Sequence, residues 1–329
     1  MADTTSASLA TVSTSSSALA ALAPLVEAAR AYVAAAQSDA TRKAYRASWV
    51  AFTTWASSNG LVAMPATPET VALYVASLAN DGRKAATIDK ALVAISGAHR
   101  AAGVEVPTIH ELVRQTRRGV RRTIGTAQTR KAALPLDALR TIAHELTVDG
   151  SLRALRDRAL LLVGFAGAFR RSELVALNVE DVRFEEGGVV VTVRSSKTDQ
   201  EGAGVEVGLP FGSEPATCPV RTLRAWLSAA GIEAGPLFRG VNRHGHLASE
   251  RLTDRAVALV VKERIGAHGL DASTFGGHSL RAGLATAAAK AGKAESQIMR
   301  QTRHRSVEMV RRYVRAATVF DHNAASGLL

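Results

Sequence analysis

The chain has 329 residues, 47% of them hydrophobic, with a formal net charge of +12 and a pI near 10.5. That length accommodates two domains with cores of their own, and the charge favours a polyanionic partner, nucleic acid first. Cys218 is the single cysteine, which excludes an intramolecular disulfide and a multi-cysteine zinc site. The longest apolar run, Ala159 to Phe169, is too short to span a bilayer. Residues 1–29 carry only Asp3 and Glu27 as charged side chains, unlike a secretory or transit peptide, so a soluble, cytoplasmic protein without a membrane partner is expected.

Residues 1–19 are mostly Ser, Thr and Ala and read as a disordered tail. Over 20–125 apolar residues recur at helical spacing and no strand is apparent. Helices are predicted at Ala20–Gln37, Thr41–Ser58, Pro68–Asn80, Ala86–Ala102 and Ile109–Ile124. The third opens on Thr67–Pro68, a capping residue followed by proline in the first turn. Gly60 and Gly103 follow helix ends as C-cap glycines do. This half reads as a helical bundle.

Charge changes after Glu111. Between Leu112 and Leu136 there is no acidic residue, whereas Arg114, Arg117, Arg118, Arg121, Arg122, Arg130 and Lys131 all fall there. A charge run is ordinarily a solvated helix face. This one is single-signed, has no acidic neighbour in sequence, and leads into a predicted linker at 126–133, so phosphate contact is the stronger reading. Arg42, Lys43, Arg46, Lys84, Lys90, Arg243 and Arg255 are further candidates for gripping DNA, although basic helix residues are commonly just solvated.

The second half, 134–329, mixes helix and strand. Helices are predicted at Arg158–Phe169, Ser172–Leu177, Arg221–Ala230, Ser249–Ala267, Ser279–Ala291, Ala294–Arg303 and Val307–Ala317. β-Branched runs broken by glycine at Val182–Phe184, Gly188–Ser195 and Val205–Pro210 predict a small antiparallel sheet. The fold class is therefore mainly α with a small sheet.

The chemistry concentrates in this half. Tyr313 is the only tyrosine after Tyr74 and lies among histidine and arginine in QTRHRSVEMVRRYVR, with His304 nine residues before it and Arg311, Arg312 and Arg315 beside it. A phenol has a pKa near ~10 and is a poor nucleophile at neutral pH. Clustered cations could lower that barrier and hold a phosphate for attack. An isolated tyrosine is more often a half-buried helix aromatic. Arg170 and Glu173 are three apart, so they could share a helix face, the carboxylate orienting a phosphate-binding guanidinium; the plainer reading is a structural ion pair. Arg170 follows LLVGFAGAF directly, so its stem should be buried, which is costly unless an anion meets it. His278 and Arg281 repeat the spacing after Gly276–Gly277, where a helix start would turn free amides towards an anion. Lys197, in SSKTD, falls near a hairpin tip, where lysines are usually solvated. No HExxH, P-loop or tight carboxylate cluster occurs, so no metal or cofactor is expected.

In order, these residues resemble the tyrosine recombinase (phage integrase) family. Arg170 and Glu173 in FRRSEL match its first arginine box, Lys197 its hairpin lysine, and His278 and Arg281 in GGHSLRAG its HxLR box. His304 matches its later histidine or tryptophan, and Tyr313 its nucleophile. Each motif is short, but seven positions in the right order and spacing are specific. ATRKAYRASWVAFTTWASSNG and ATIDKALVAISGAHRAAG are similar to the helical core-binding (SAM-like) domain of Cre-type members, so the resemblance runs from about Ala20 to the C-terminus.

The resemblance implies site-specific recombination of double-stranded DNA at inverted repeats flanking a spacer. Tyr313 would form a 3′-phosphotyrosine while Arg170 and Arg281 hold the phosphate. Lys197 would protonate the leaving oxygen, His278 would assist proton transfer, and His304 would hydrogen-bond the phosphate. Glu173 would support them. It also implies a homotetramer on two DNA sites, a Holliday junction, and a bacterial, phage or plasmid origin. A type IB topoisomerase would share the phosphate chemistry but relax DNA lacking any target. A non-catalytic DNA-binding protein would explain the charge but leave the ordered residues without purpose.

Overall fold

The computed structural model describes residues 16–36, 38–127, 131–194, 204–304 and 306–317. Contacts divide the chain into two compact units, Met1–Thr129 and Arg130–Leu329.

The first unit is helical: α1 Ser16–Ala35, α2 Asp39–Ser58, α3 Pro68–Asn80, α4 Ala85–Ala101 and α5 Glu111–Ile124. α1 starts before the predicted Ala20, so Ser16 to Leu19 are helical rather than part of a tail. Local chemistry sets the ends of the others. The Ser38 hydroxyl accepts from the Thr41 amide at 3.3 Å, and the Thr67 hydroxyl from the Thr70 amide at 3.2 Å. Phe52, Val71, Tyr74, Ile88, Leu92, Ile95 and Val113 form the core, with Trp49 and Trp55 packed at its edge. His99 is buried there with both ring nitrogens engaged. Nε2 accepts from the Ala66 amide at 3.0 Å, which leaves Nδ1–H to donate to the Ile95 carbonyl at 2.8 Å.

The basic run is not free of partners as expected. Arg117 Nε and Arg121 Nη1 donate to the two oxygens of Asp89 on α4, at 2.6 and 2.7 Å. Sequence proximity could not reveal an acid 28 positions away. Lys131 is also occupied, donating to the Ser273 carbonyl at 2.6 Å. Arg114, Arg118 and Arg122 remain exposed, at the four-residue spacing that aligns them along one side of α5. Among the described residues none of these three has an ion pair.

The second unit contains α6 Leu136–Asp149, α7 Leu152–Ala166, α8 Arg171–Ala176, β1 Val182–Glu185, β2 Gly188–Val193, β3 Val205–Pro210 and α9 Pro219–Ala230. It continues with β4 Arg239–Val241, β5 Leu247–Arg251, α10 Asp254–Ala267, α11 Ser279–Lys290, α12 Glu295–Thr302 and α13 Val307–Ala317. β1, β2 and β3 form an antiparallel sheet with β2 central, pairing Val182 with Val191 and Val191 with Val207. Val189, Val191 and Val193 alternate into the core, where Leu160, Leu161, Phe169, Trp226 and Phe238 are also buried.

Three expectations fail here. The helix predicted from Ser249 begins only at Asp254, where Thr253 caps it by accepting from the Ala256 amide at 3.1 Å. Ser249 to Arg251 belong instead to β5, which pairs antiparallel with β4. α6 went unrecognised. The helix placed at Arg158–Phe169 begins at Leu152, under a Ser151 cap. Its early turns carry charge, and the reason they can be buried is specific. Asp157 is fully buried and accepts two bonds each from Arg156 and Arg264, all between 2.6 and 2.8 Å.

α7 is the central helix, packed against α6, α9 and α11. Gly283 permits the last of these contacts: a Cβ there would lie 2.6 Å from the Leu134 carbonyl oxygen and 2.8 Å from the Phe165 ring. Because a backbone atom cannot give way cheaply, Gly283→Ala is expected to cost about 1–3 kcal/mol, the usual range for overpacking. Urea unfolding checks this; an unchanged midpoint would contradict the packing described.

Candidate active site

The turn between α7 and α8 carries the first site residues. Gly167 approaches the Phe169 ring so closely that a Cβ would lie 2.1 Å from it. Ala168 then takes a left-handed φ of +46°, which costs an L-residue about 1–2 kcal/mol. Arg170 is not on a helix face with Glu173, as expected, but is the N-cap of α8. Glu173, three residues in, reaches back to it. Oε2 accepts from the Arg170 amide at 2.9 Å and Oε1 from Arg170 Nη1. The spacing was informative for a different reason from the one inferred: it is a capping-box spacing, with an arginine in the cap position.

α11 brings the second pair. His278 precedes its first residue, and the Ser279 amide turns to the Gly276 carbonyl at 2.8 Å rather than outward. Arg281 is 1% exposed. Its Nη1 donates to the Ala168 carbonyl at 2.9 Å, and among the described residues its buried Nη2 has no hydrogen-bond partner. A buried guanidinium with an unused donor costs free energy until an acceptor arrives.

Tyr313 on α13 joins this cluster through its hydroxyl, 3.1 Å from His278 Nε2. The His304 ring stacks beside the phenol, centroids 5.8 Å apart and planes 21° apart. The Thr302 hydroxyl donates to the Ile298 carbonyl at 2.6 Å and lies 2.8 Å from His304 Nδ1. Arg170, Glu173 and Arg281 thus gather around the Ala168 turn and His278, Tyr313 and His304 around the phenol, with the charges of Arg281 and Arg170 felt at the His304 ring. The arginines flanking Tyr313 in sequence do something else. Arg311 pairs with Glu295, and Arg312 and Arg315 pair with Glu308. Lys197 lies outside the described residues, as does Arg130. Lys43, Arg46, Lys84, Lys90, Arg243 and Arg255 are exposed, and Arg42 pairs with Asp39.

Sequence reasoning missed Arg303, between Thr302 and His304, whose side chain is 8% exposed and donates from Nη2 to Glu173 Oε2 at 2.8 Å. It was visible only as one more cation in QTRHR. Gln301 was also missed; its Nε2 donates to the carbonyls of Ala166 and Gly208 at 2.7 and 3.1 Å.

The electrostatics follow from two arginines bonded to one carboxylate with a third, Arg281, close enough to feel it. Burial works to raise the Glu173 pKa, but the Arg170 amide, Arg303 and the Arg170 side chain together hold it below the usual carboxylate value. Burial, then repulsion from Arg170 and Arg303, lowers Arg281 to about 10. Burial likewise lowers His304 to about 4, helped by Arg281, Arg170, His278 and Arg303. The site is therefore rich in positive charge and short of anions, which suits it to an oxyanion.

Residues 133–319 match the model described as the phage integrase family. A Selenomonas ruminantium protein named integrase/recombinase xerD homolog is 42% identical over 291 residues, spanning 88% of this chain and 85% of the relative. The recombinase cre of Escherichia phage P1 is 26% identical across 82% of this chain and 80% of its own. Among solved structures, a lambda integrase(75-356) dimer bound to a COC' core site matches with a TM-score of 0.59 at 18% identity, covering 84% of this chain and 89% of that one. XerH bound to difH substrate in a pre-cleavage complex matches with a TM-score of 0.56 at 17% identity, over 82% and 75%. At those identities the structural likeness is one of fold.

His304 provides a pH test. Its ordinary value is 6.5 and its folded value about 4, so between them the unfolded chain binds the extra proton. Stability should therefore fall as pH drops through that window. His304→Gln should flatten this dependence in denaturant unfolding measured at both ends of the window; an identical slope would show that the ring is not held neutral.

Proposed function

The chain belongs to the phage integrase family, and from that premise we propose that it is a site-specific DNA recombinase whose nucleophile is Tyr313. The observation that carries the reading is the Tyr313 hydroxyl, 3.1 Å from His278 Nε2, in a cluster whose Arg281 has a buried, unused donor.

In the proposed step the phenol oxygen attacks the scissile phosphorus while its proton passes to His278 Nε2. The bond from phosphorus to the 5′-oxygen breaks, leaving a 3′-phosphotyrosine, and Lys197 protonates the departing oxygen. Arg170 and Arg281 donate to the non-bridging oxygens, where charge grows in the transition state, from positions already fixed by Glu173 and the Ala168 carbonyl. Protonated His304 is the third donor. Burial and then the surrounding cations keep that ring neutral, and a bound phosphate offsets the second of these.

The phosphotyrosine conserves the ester bond, so a 5′-hydroxyl from a second DNA can reverse the step without ATP. Two such exchanges pass through a Holliday junction on a homotetramer holding two sites. The first unit serves as the core-binding domain. Its α5 stripe of Arg114, Arg118 and Arg122 contacts backbone phosphate, and base-edge contacts elsewhere select the site.

Two measurements test this. DNA recovered covalently attached to the denatured protein should be enriched at one sequence, and Tyr313→Phe should abolish the adduct; unchanged recovery from that variant would refute the nucleophile. Replacing Arg114, Arg118 or Arg122 by alanine should each lower the slope of log affinity against log salt by about 1, across all sequences alike. An unaltered slope would remove α5 from the DNA interface.

A further inference from the structure

We infer that Arg303 is a positioning residue for the proposed cleavage, holding the Gly167–Phe169 turn and Glu173 so that Arg281 and Arg170 meet the phosphate. The inference rests on the recombinase reading above but concerns a residue that lies outside the seven motif positions.

The argument begins with what Arg303 can and cannot donate. A guanidinium has four terminal N–H groups, two on each Nη. Nη1 donates to the Gly167 carbonyl at 2.9 Å and to the Gln301 carbonyl at 3.1 Å. Nη2 donates to the Ala168 carbonyl at 3.2 Å and to Glu173 Oε2 at 2.8 Å. All four are used, and Nε is buried without a partner among the described residues. Arg303 therefore has no terminal donor left for a phosphate. Arg281 differs, with one bond from Nη1 and, among the described residues, none from Nη2.

Two of the four acceptors of Arg303, Glu173 and the Ala168 carbonyl, also serve the arginines in front of it. Glu173 Oε2 accepts the Arg170 amide as well, and Oε1 accepts the Arg170 side chain. The Ala168 carbonyl is the acceptor of Arg281 Nη1, and it projects from a residue in left-handed conformation. Arg303 holds that carbonyl from behind, and its guanidinium carbon lies 5.1 Å above the centre of the Phe169 ring. Arg303 itself adopts a left-handed φ of +55° just before His304. One side chain thus ties the loop bearing His304 to the turn bearing Arg170, across 130 positions of sequence.

The backbone conformation supplies a way to separate positioning from stability. Arg303→Gly relieves the left-handed strain and Arg303→Ala does not, so the glycine variant should be the more stable in thermal unfolding. Both lose every side-chain bond. On nicked DNA carrying the sequence recovered by covalent capture, both should form the Tyr313 adduct about 100-fold more slowly at saturating DNA, as loosened catalytic groups do. DNA affinity should stay within about 2-fold of wild type, since no terminal donor is left to touch phosphate. Arg303→Lys, which can reach Glu173 but not all four acceptors, should recover part of the rate.

Wild-type cleavage by Arg303→Gly would overturn the inference. So would loss of folding in both the glycine and lysine variants, or a loss of DNA affinity matching the loss of rate. If the wild-type protein itself forms no Tyr313-dependent adduct, the recombinase reading falls first; if it does and Arg303→Gly matches it, only the role of Arg303 falls.

Discussion

Three guanidinium groups, Arg170, Arg281 and Arg303, and one carboxylate, Glu173, form the inner part of the candidate site, and the rest of the site depends on how they share acceptors. Glu173 is buried and accepts from both Arg170 and Arg303. The Ala168 carbonyl accepts from both Arg281 and Arg303. Burying cations with too few anions is unfavourable, and the cost here shows as the lowered Arg281 and His304 pKa values. Such an arrangement persists because the surrounding fold over-determines it. Among the described residues its unused donor meets no acceptor, so an oxyanion entering the site replaces repulsion with attraction.

The protein handles its buried and surface arginines in two distinct ways. Around Asp157 each arginine has a carboxylate to bond: Arg156 and Arg264 each give two bonds to the fully buried Asp157, and that triad joins α7 to α10. Asp89 does the same for Arg117 and Arg121 nearer the surface. By contrast Arg281, and on α5 the stripe of Arg114, Arg118 and Arg122, have donors that no described protein group uses. The arginines proposed to meet phosphate are therefore set apart by terminal donors left unused among the described residues, and this cuts across burial. Arg281 and Arg156 are similarly buried and do different things.

Local order supplied much of what was legible in advance. The boundaries of α3, β3 and α13 follow from periodicity and from signals a few residues away, such as Thr67–Pro68 at the start of α3. Elements whose burial depends on remote partners were harder. α7 hides its first turns behind charges that look solvent-facing until Arg264 is seen to neutralise Asp157. The segment Ser249–Arg251 has residues that suit a helix, yet its backbone pairs with β4 and so becomes strand.

By itself the sequence determined the types, order and spacing of the site residues, because short motifs keep their partners within a turn or two: Arg170 with Glu173, His278 with Arg281. It also determined that Tyr313 was the only phenol in its half. Only the tertiary structure decided which arginines are free to meet an anion, and that Arg303 stands behind them while Arg311, Arg312 and Arg315 turn away to Glu295 and Glu308. The physical reason is that a guanidinium's availability is the difference between the donors it has and the acceptors packing brings to it. For Arg281 and Arg303 the deciding acceptors, Gly167, Ala168 and Glu173, lie more than a hundred positions away, and no local pattern encodes their proximity.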